Sequence, residues 1–153
     1  SFNLISFKNA MENVALPLYY QGMKRKKRNA LAMEYLDMVG LRDWADHMPN
    51  EMSGGQKQRV SIARALVNDP KILIFDDSLS AVDTETEEQI LNNLSSEING
   101  KTTIIITHRV SSAKRADQIL VLEDGHVLEN GSNSELLNKH GYYYELYNKQ
   151  LLD

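Results

Sequence analysis

The chain has 153 residues, enough for one domain with its own core, and its 42% hydrophobic and 25% charged residues match a folded globular protein. It has no cysteine, which excludes disulfides, thiolate metal sites and cysteine nucleophiles, and its net charge of −4 argues against a dedicated nucleic-acid binder. No apolar run approaches the roughly 20 residues that span a bilayer, and Ser-Phe-Asn-Leu at the start is no signal peptide, so a link to a membrane is expected to run through a partner or a further segment.

The first elements read as helices. Residues 7–14 are rich in helix formers, and the helix is expected to stop before Pro17, because a proline disfavours helical backbone in the residue before it. A longer helix is expected over 24–39, with Leu31, Met33, Tyr35, Leu36 and Met38 bunched at roughly helical spacing and Gly40 as its C-terminal cap. A short turn and a polar loop lead to a third helix, which starts at Ser53 and runs to about residue 68. Pro70 ends this block. Residues 71–75, Lys-Ile-Leu-Ile-Phe, are an apolar run of the kind buried on both faces of a parallel sheet. A helix over 84–98, capped by Asp83 or Thr84, and a second buried strand over 102–107 follow. A short helix over 110–115 precedes strands over 118–122 and 126–129, which flank the hairpin turn Glu123-Asp124-Gly125. Helices over 132–137 and 142–152 complete the chain. The pattern predicts an α/β fold: a helical subdomain over 1–69, then a mainly parallel sheet core with a C-terminal hairpin and helices over 70–153.

The strongest local signal is 52–59, Met-Ser-Gly-Gly-Gln-Lys-Gln-Arg. Ser53 and Gln56 make a capping-box pattern at a helix start, and Gly54 and Gly55 let another molecule approach the backbone. A helix N-terminus with free N–H groups and a hydroxyl suits a terminal phosphate, although Ser-Gly-Gly alone is more often an ordinary capped helix. The continuation to Leu66 decides between the two. Residues 53–66, Ser-Gly-Gly-Gln-Lys-Gln-Arg-Val-Ser-Ile-Ala-Arg-Ala-Leu, closely resemble the signature motif and helix of ATP-binding cassette (ABC) ATPases. The resemblance implies a partial P-loop NTPase fold in which Ser53, Gly54, Gly55 and Gln56 complete the ATP site of the opposite subunit in a head-to-tail dimer.

Other motifs follow in the family's order. A strand ending in Asp76 and Asp77 puts two carboxylates at its C-terminal edge, where α/β folds bind ligands. By the resemblance, Asp76 is the Walker B acid that holds Mg2+, usually through water. Asp77 stands where the family usually has a glutamate that polarises the attacking water. Aspartate is shorter by about 1.5 Å, an error that can cost on the order of 10²-fold in rate. Ser80, Ala81 and Asp83 look like the D-loop, which crosses the dimer interface, and His108 matches the switch histidine at the terminal phosphate. Gly100-Lys101-Thr102 resembles the end of a phosphate loop, but position 95 is Ser95, and a helix precedes and a strand follows, so it reads as a turn. The basic run 24–28 reads as a solvated helix start, and Tyr142, Tyr143, Tyr144 and Tyr147 as packing for the last helix.

The resemblance extends over essentially the whole chain, as an ABC ATPase domain from just after its Q-loop. Residues 1–70 look like the ATPases of lipoprotein-release and macrolide-efflux systems, and 76–152 like those of multidrug exporter half-transporters; a mosaic and a divergent single lineage both account for this. No Walker A loop occurs in the sequence, and the Q-loop glutamine and the adenine-stacking aromatic would precede Ser1. The chain is therefore expected to supply part of an ATP- and Mg2+-dependent transport ATPase at the cytoplasmic face of a membrane, and to be inactive alone. The implied partners are a second ABC ATPase domain and transmembrane transporter domains. The alternative is a non-catalytic module that only completes a partner's ATP site. A DNA-repair or chromosome-maintenance relative is disfavoured by the helical block before the signature and by the absence of coiled-coil heptads, so no nucleic-acid partner is expected.

Overall fold

Helix α1 (Ala10–Tyr20) starts at Asn9, whose side chain accepts from the Glu12 N–H while Glu12 accepts from the Asn9 N–H. It does not stop before Pro17, as the proline rule led us to expect, but runs through it to Tyr20. The interior proline forfeits one backbone bond, at a cost of about 3 kcal/mol. Burial offsets this: Ala10, Val14, Ala15 and Leu18 form a continuous apolar stripe against helices α2 (Arg25–Met38) and α3 (Gly54–Leu66). The buried Asn13 amide pins the chain before α1, accepting from the Ile5 N–H and donating to the Ile5, Lys8 and Asn9 carbonyls.

Helix α2 ends as expected at Gly40. That residue has φ +67°, its N–H bonds the Asp37 carbonyl, and the Leu41 N–H bonds the Leu36 carbonyl. Leu36 and Leu41, the two residues whose apolar side chains usually accompany such a cap, are both fully buried. Two 3₁₀ turns, Arg42–Trp44 and Pro49–Glu51, lead to α3. Arg59 of α3 returns to the end of α2 and donates to the Val39 carbonyl at 3.1 Å. The computed structural model describes residues 3–78 and 81–151, which form two compact units, one up to Ile104 and one from Ile105.

The first unit continues with β1 (Ile72–Asp76), α4 (Thr84–Asn93), α5 (Ser95–Ile98) and β2 (Thr102–Ile106), the unit boundary falling within β2. The single helix expected over 84–98 is two, because the Ser95 hydroxyl takes the Asn92 carbonyl at 2.7 Å and competes with the helical ladder. Strand β1 is not buried on both faces. Leu73 and Phe75 are buried, but Ile72 and Ile74 are each 62% exposed. The strand alternates, and only one of its faces is packed. Among the described residues the strands form two two-stranded sheets, β1 with β2 and β3 with β4, rather than one larger sheet. The Gly100 turn before β2 has φ +79°, and Lys101 pairs with Asp69 at 2.8 Å.

The second unit holds α6 (Val110–Ala113), the antiparallel hairpin of β3 (Ile119–Glu123) and β4 (His126–Gly131), α7 (Asn133–Lys139) and α8 (Tyr142–Leu151). Asp124 and Gly125 both take positive φ, as a two-residue hairpin turn requires, and a bulge at Val121/Leu122 shifts the register. Val110, Ile119, Leu136 and Tyr143 form its core. Of the four C-terminal tyrosines only Tyr143 is buried; Tyr142 is exposed.

Tyr35 of α2 donates to Glu97 of α5 at 2.9 Å. Burial, then the bond to Glu97 and its charge, push the Tyr35 hydroxyl up from its ordinary 10 to about 12. A raised pKa stabilises the fold fully below pH 10, and the gain disappears as pH rises through 12. Tyr35→Phe should therefore cost about 0.5–1 kcal/mol at pH 8, allowing for partial exposure, and nothing by pH 12, read from urea midpoints of both proteins.

Candidate functional site

Ser53 caps α3 as the sequence predicts. Its hydroxyl accepts from the Gln56 N–H at 3.2 Å, and Gln56 Oε1 accepts from the Ser53 N–H at 2.8 Å. The first-turn N–H groups of Gly54 and Gly55 have no intrahelical acceptor, as at any helix start. The two glycines, which looked equivalent in the sequence, differ in surroundings. A Cβ at Gly54 would meet nothing within 4 Å, so this backbone is open to an approaching group. A Cβ at Gly55 would lie 2.8 Å from the Ala81 carbonyl oxygen and 3.2 Å from Val82 Cγ1. The chain's own backbone fills the space at Gly55.

Asp76 ends β1 and Asp77 follows it, and both are exposed. Asp77 has φ +48°, in the left-handed region that Asp and Asn tolerate better than longer side chains. Its carbonyl accepts from Gln58 Nε2 at 3.0 Å, and Gln58 Oε1 accepts from the Ala81 N–H at 3.2 Å. Ser80 lies outside the described residues. Asp83 caps α4, its carboxylate taking the Thr86 N–H at 2.9 Å and the Thr86 hydroxyl at 2.7 Å. The Thr86 hydroxyl first, and then the Thr86 N–H, hold that carboxyl below the usual carboxylate range.

In the first unit α3 meets the segment that follows β1 at two of its residues: Gly55 lies beside Ala81 and Val82, and Gln58 bonds Asp77 and Ala81. His108 belongs to the second unit. Its ring is exposed and its carbonyl accepts from Gln150 Nε2 at 2.8 Å, while Gln150 Oε1 accepts from the Val110 N–H. Gln150 of α8 thereby fixes the loop that carries His108.

Two side chains were missed in the sequence. For Gln58 a signal existed: it sits four and eight residues before Ile62 and Leu66 on the buried stripe of α3, where a polar residue needs a partner. Gln150 gave none, because an exposed Gln near a helix end is unremarkable in sequence.

The donor set fits an anionic ligand at Ser53 and Gly54, where N–H groups, a hydroxyl and the helix dipole coincide. Among the described residues no group of three or more His, Asp or Glu is placed to hold a metal ion. Asp76 alone therefore offers one ligand. That suffices only for a cation such as Mg2+ that takes its other ligands from phosphate and water. Lys101, bound to Asp69, is not directed to such a ligand.

The profile of a family described as ABC transporter matches residues 2–80. The methionine import ATP-binding protein MetN of Streptococcus pneumoniae (strain ATCC BAA-255 / R6) is 48% identical over 141 residues, 90% of this chain and 40% of that protein. The exotoxin translocation ATP-binding protein PaxB of Pasteurella aerogenes is 55% identical over 96 residues, covering 62% of this chain and 14% of that one. The dimeric post-hydrolysis structure of the ATP-binding cassette MJ0796, bound to ADP and Pi, superposes with a TM-score of 0.79 at 41% identity, over 86% of this chain and 59% of that chain. The chain thus spans less than two thirds of the length of each of these proteins.

The contrast between the glycines is testable by thermal unfolding. Gly55→Ala should destabilise by about 1–3 kcal/mol, because the obstructing atom is backbone. Gly54→Ala should stay within about 0.5 kcal/mol of the parent.

Proposed function

The chain belongs to the ABC transporter family, and we propose that it forms part of an ATP-binding subunit or domain that couples ATP binding and hydrolysis to transport across a membrane. The observation that carries this reading is the α3 N-terminus: Ser53 and the open backbone of Gly54 make an anion site, and the same helix is hydrogen-bonded to the segment bearing Asp76 and Asp77. ATP supplies the phosphoanhydride bond. Ser53, Gly54 and Gln56 would orient the terminal phosphate of a nucleotide held by a second ABC ATPase domain. On the chain's own nucleotide, Asp76 would hold the Mg2+ hydration shell, Asp77 would orient the attacking water, and His108 would contact the terminal phosphate.

Assembly with a second cassette is supported by the dimeric MJ0796 structure. No helix among the described residues is long and apolar enough to cross a membrane, so transporter domains would hold the chain at the cytoplasmic face. Asp77 favours a second reading, a module that completes a partner's site without hydrolysing its own nucleotide. The short carboxylate sits on a left-handed backbone and stops about 1.5 Å short of a glutamate's reach.

ATP-dependent association tests the proposal. Mixed with an ATP-loaded, hydrolysis-deficient ABC cassette, the chain should co-elute on gel filtration with ATP but not with ADP, and Ser53→Ala should weaken co-elution. Absence of any ATP-dependent association would remove the reading. Alone, the chain should release no phosphate from ATP above background; turnover with contaminants excluded would contradict the proposed need for a nucleotide held elsewhere. In an assembled, hydrolysing site, Asp77→Glu should raise turnover by up to about 10²-fold. An unchanged rate would favour the non-catalytic module.

A further inference from the structure

Gln58 is buried, yet it is polar and lies outside the signature residues 53–56. Its amide bridges two chain segments: Nε2 donates to the Asp77 carbonyl at 3.0 Å, and Oε1 accepts from the Ala81 N–H at 3.2 Å. The two partners stand on either side of positions 79 and 80. A primary amide presents a donor and an acceptor at once; a carboxylate presents only acceptors, and an alkyl chain presents neither. Asn has the same chemistry but is shorter by about 1.5 Å, so it would not span both partners.

The bond to Asp77 falls at a residue with left-handed backbone. At φ +48° the backbone is in a region that non-glycine residues enter at a cost, lower for Asp than for longer side chains, so outside support favours it. Release to an ordinary φ would swing the carboxylate away from its place at the end of β1. Gly55, one turn earlier on the same helix, leaves no room for a side chain beside Ala81: a Cβ there would lie 2.8 Å from the Ala81 carbonyl oxygen. The first turns of α3 thus hold the Ala81 N–H through Gln58 and lie close beside its carbonyl at Gly55.

We propose that Gln58 is a positioning residue that mechanically links the α3 N-terminus to Asp77. This rests on the function proposed above, in which the α3 N-terminus acts on one nucleotide and Asp77 on another. A shift of α3 as it engages a phosphate is then transmitted through one amide to the backbone that aims Asp77.

The test is NMR on the full chain labelled with ¹⁵N and ¹³C. In Gln58→Leu both bonds are lost: the Asp77 carbonyl and Cα shifts should leave their left-handed values, and exchange of the Ala81 amide should rise about tenfold. In Gln58→Glu the acceptor remains but the donor is gone. Ala81 should stay protected while the Asp77 shifts move, a split that a purely structural residue would not produce. Should Gln58→Leu unfold, Gln58→Glu decides alone. Unchanged Asp77 shifts in a folded variant, or changes spread evenly over the first unit, would overturn the proposal. Addition of an ATP-loaded, hydrolysis-deficient cassette should move the Asp77 resonances of the parent but not those of Gln58→Glu; equal movement in both would refute the transmission. If the cassette does not bind the parent at all, the functional reading fails, while the shifts of the variants alone still decide whether Gln58 positions Asp77.

Discussion

The first unit depends on the absence of a side chain at Gly55. There the backbone at Ala81 comes so near the first turn of α3 that a Cβ would lie 2.8 Å from its carbonyl oxygen. That approach brings Gln58 within reach of Asp77 and Ala81, and it sets where the chain must be when Asp83 starts α4. On another side of α3, Arg59 reaches the Val39 carbonyl at the end of α2. One helix therefore joins the helical block to the segment bearing the acidic pair, and a single methyl group at Gly55 would force one of them to shift. Close packing at backbone leaves little room for compromise, since neither chain can rotate out of the way as a flexible side chain can.

Much of this was legible in the residues. The helix starts at Asn9, Ser53, Asp83 and Ser132 follow from short polar side chains that can satisfy a first-turn N–H, and all but Asn9 stood out in the sequence. Gly40 and Asp124-Gly125 were readable because their positive φ values limit which residues can stand there. Local rules failed in two ways, one long-range and one local. Pro17 lost to the buried stripe of α1, and the run over 84–98 was broken by a hydroxyl whose preference for a nearby carbonyl carries no periodic signature.

The site was legible in its identities more than in its connections. Ser53, Gln56, Asp76 and Asp77 announce themselves by type and order. That a side chain at Gly55 would meet the chain's own Ala81 could not be read, because glycine leaves the same trace whether it admits a ligand or a neighbouring stretch of backbone. Gln150 and its hold on the His108 loop depend on how α8 returns within the second unit, a tertiary fact without local cause.

The uncovered face of β1 has a consequence for the behaviour of the isolated chain. Ile72 and Ile74 project into water beside Ile104 of the neighbouring strand, which is also exposed. Attraction between such surfaces is driven by the release of ordered water, and it strengthens as the solution warms towards physiological temperature. Cold should therefore disperse the purified chain and gentle heat should gather it, well before anything unfolds. Sulfate, excluded from protein surfaces, would act in the same direction as heat. Storage conditions chosen for an ordinary small globular protein would misjudge this one.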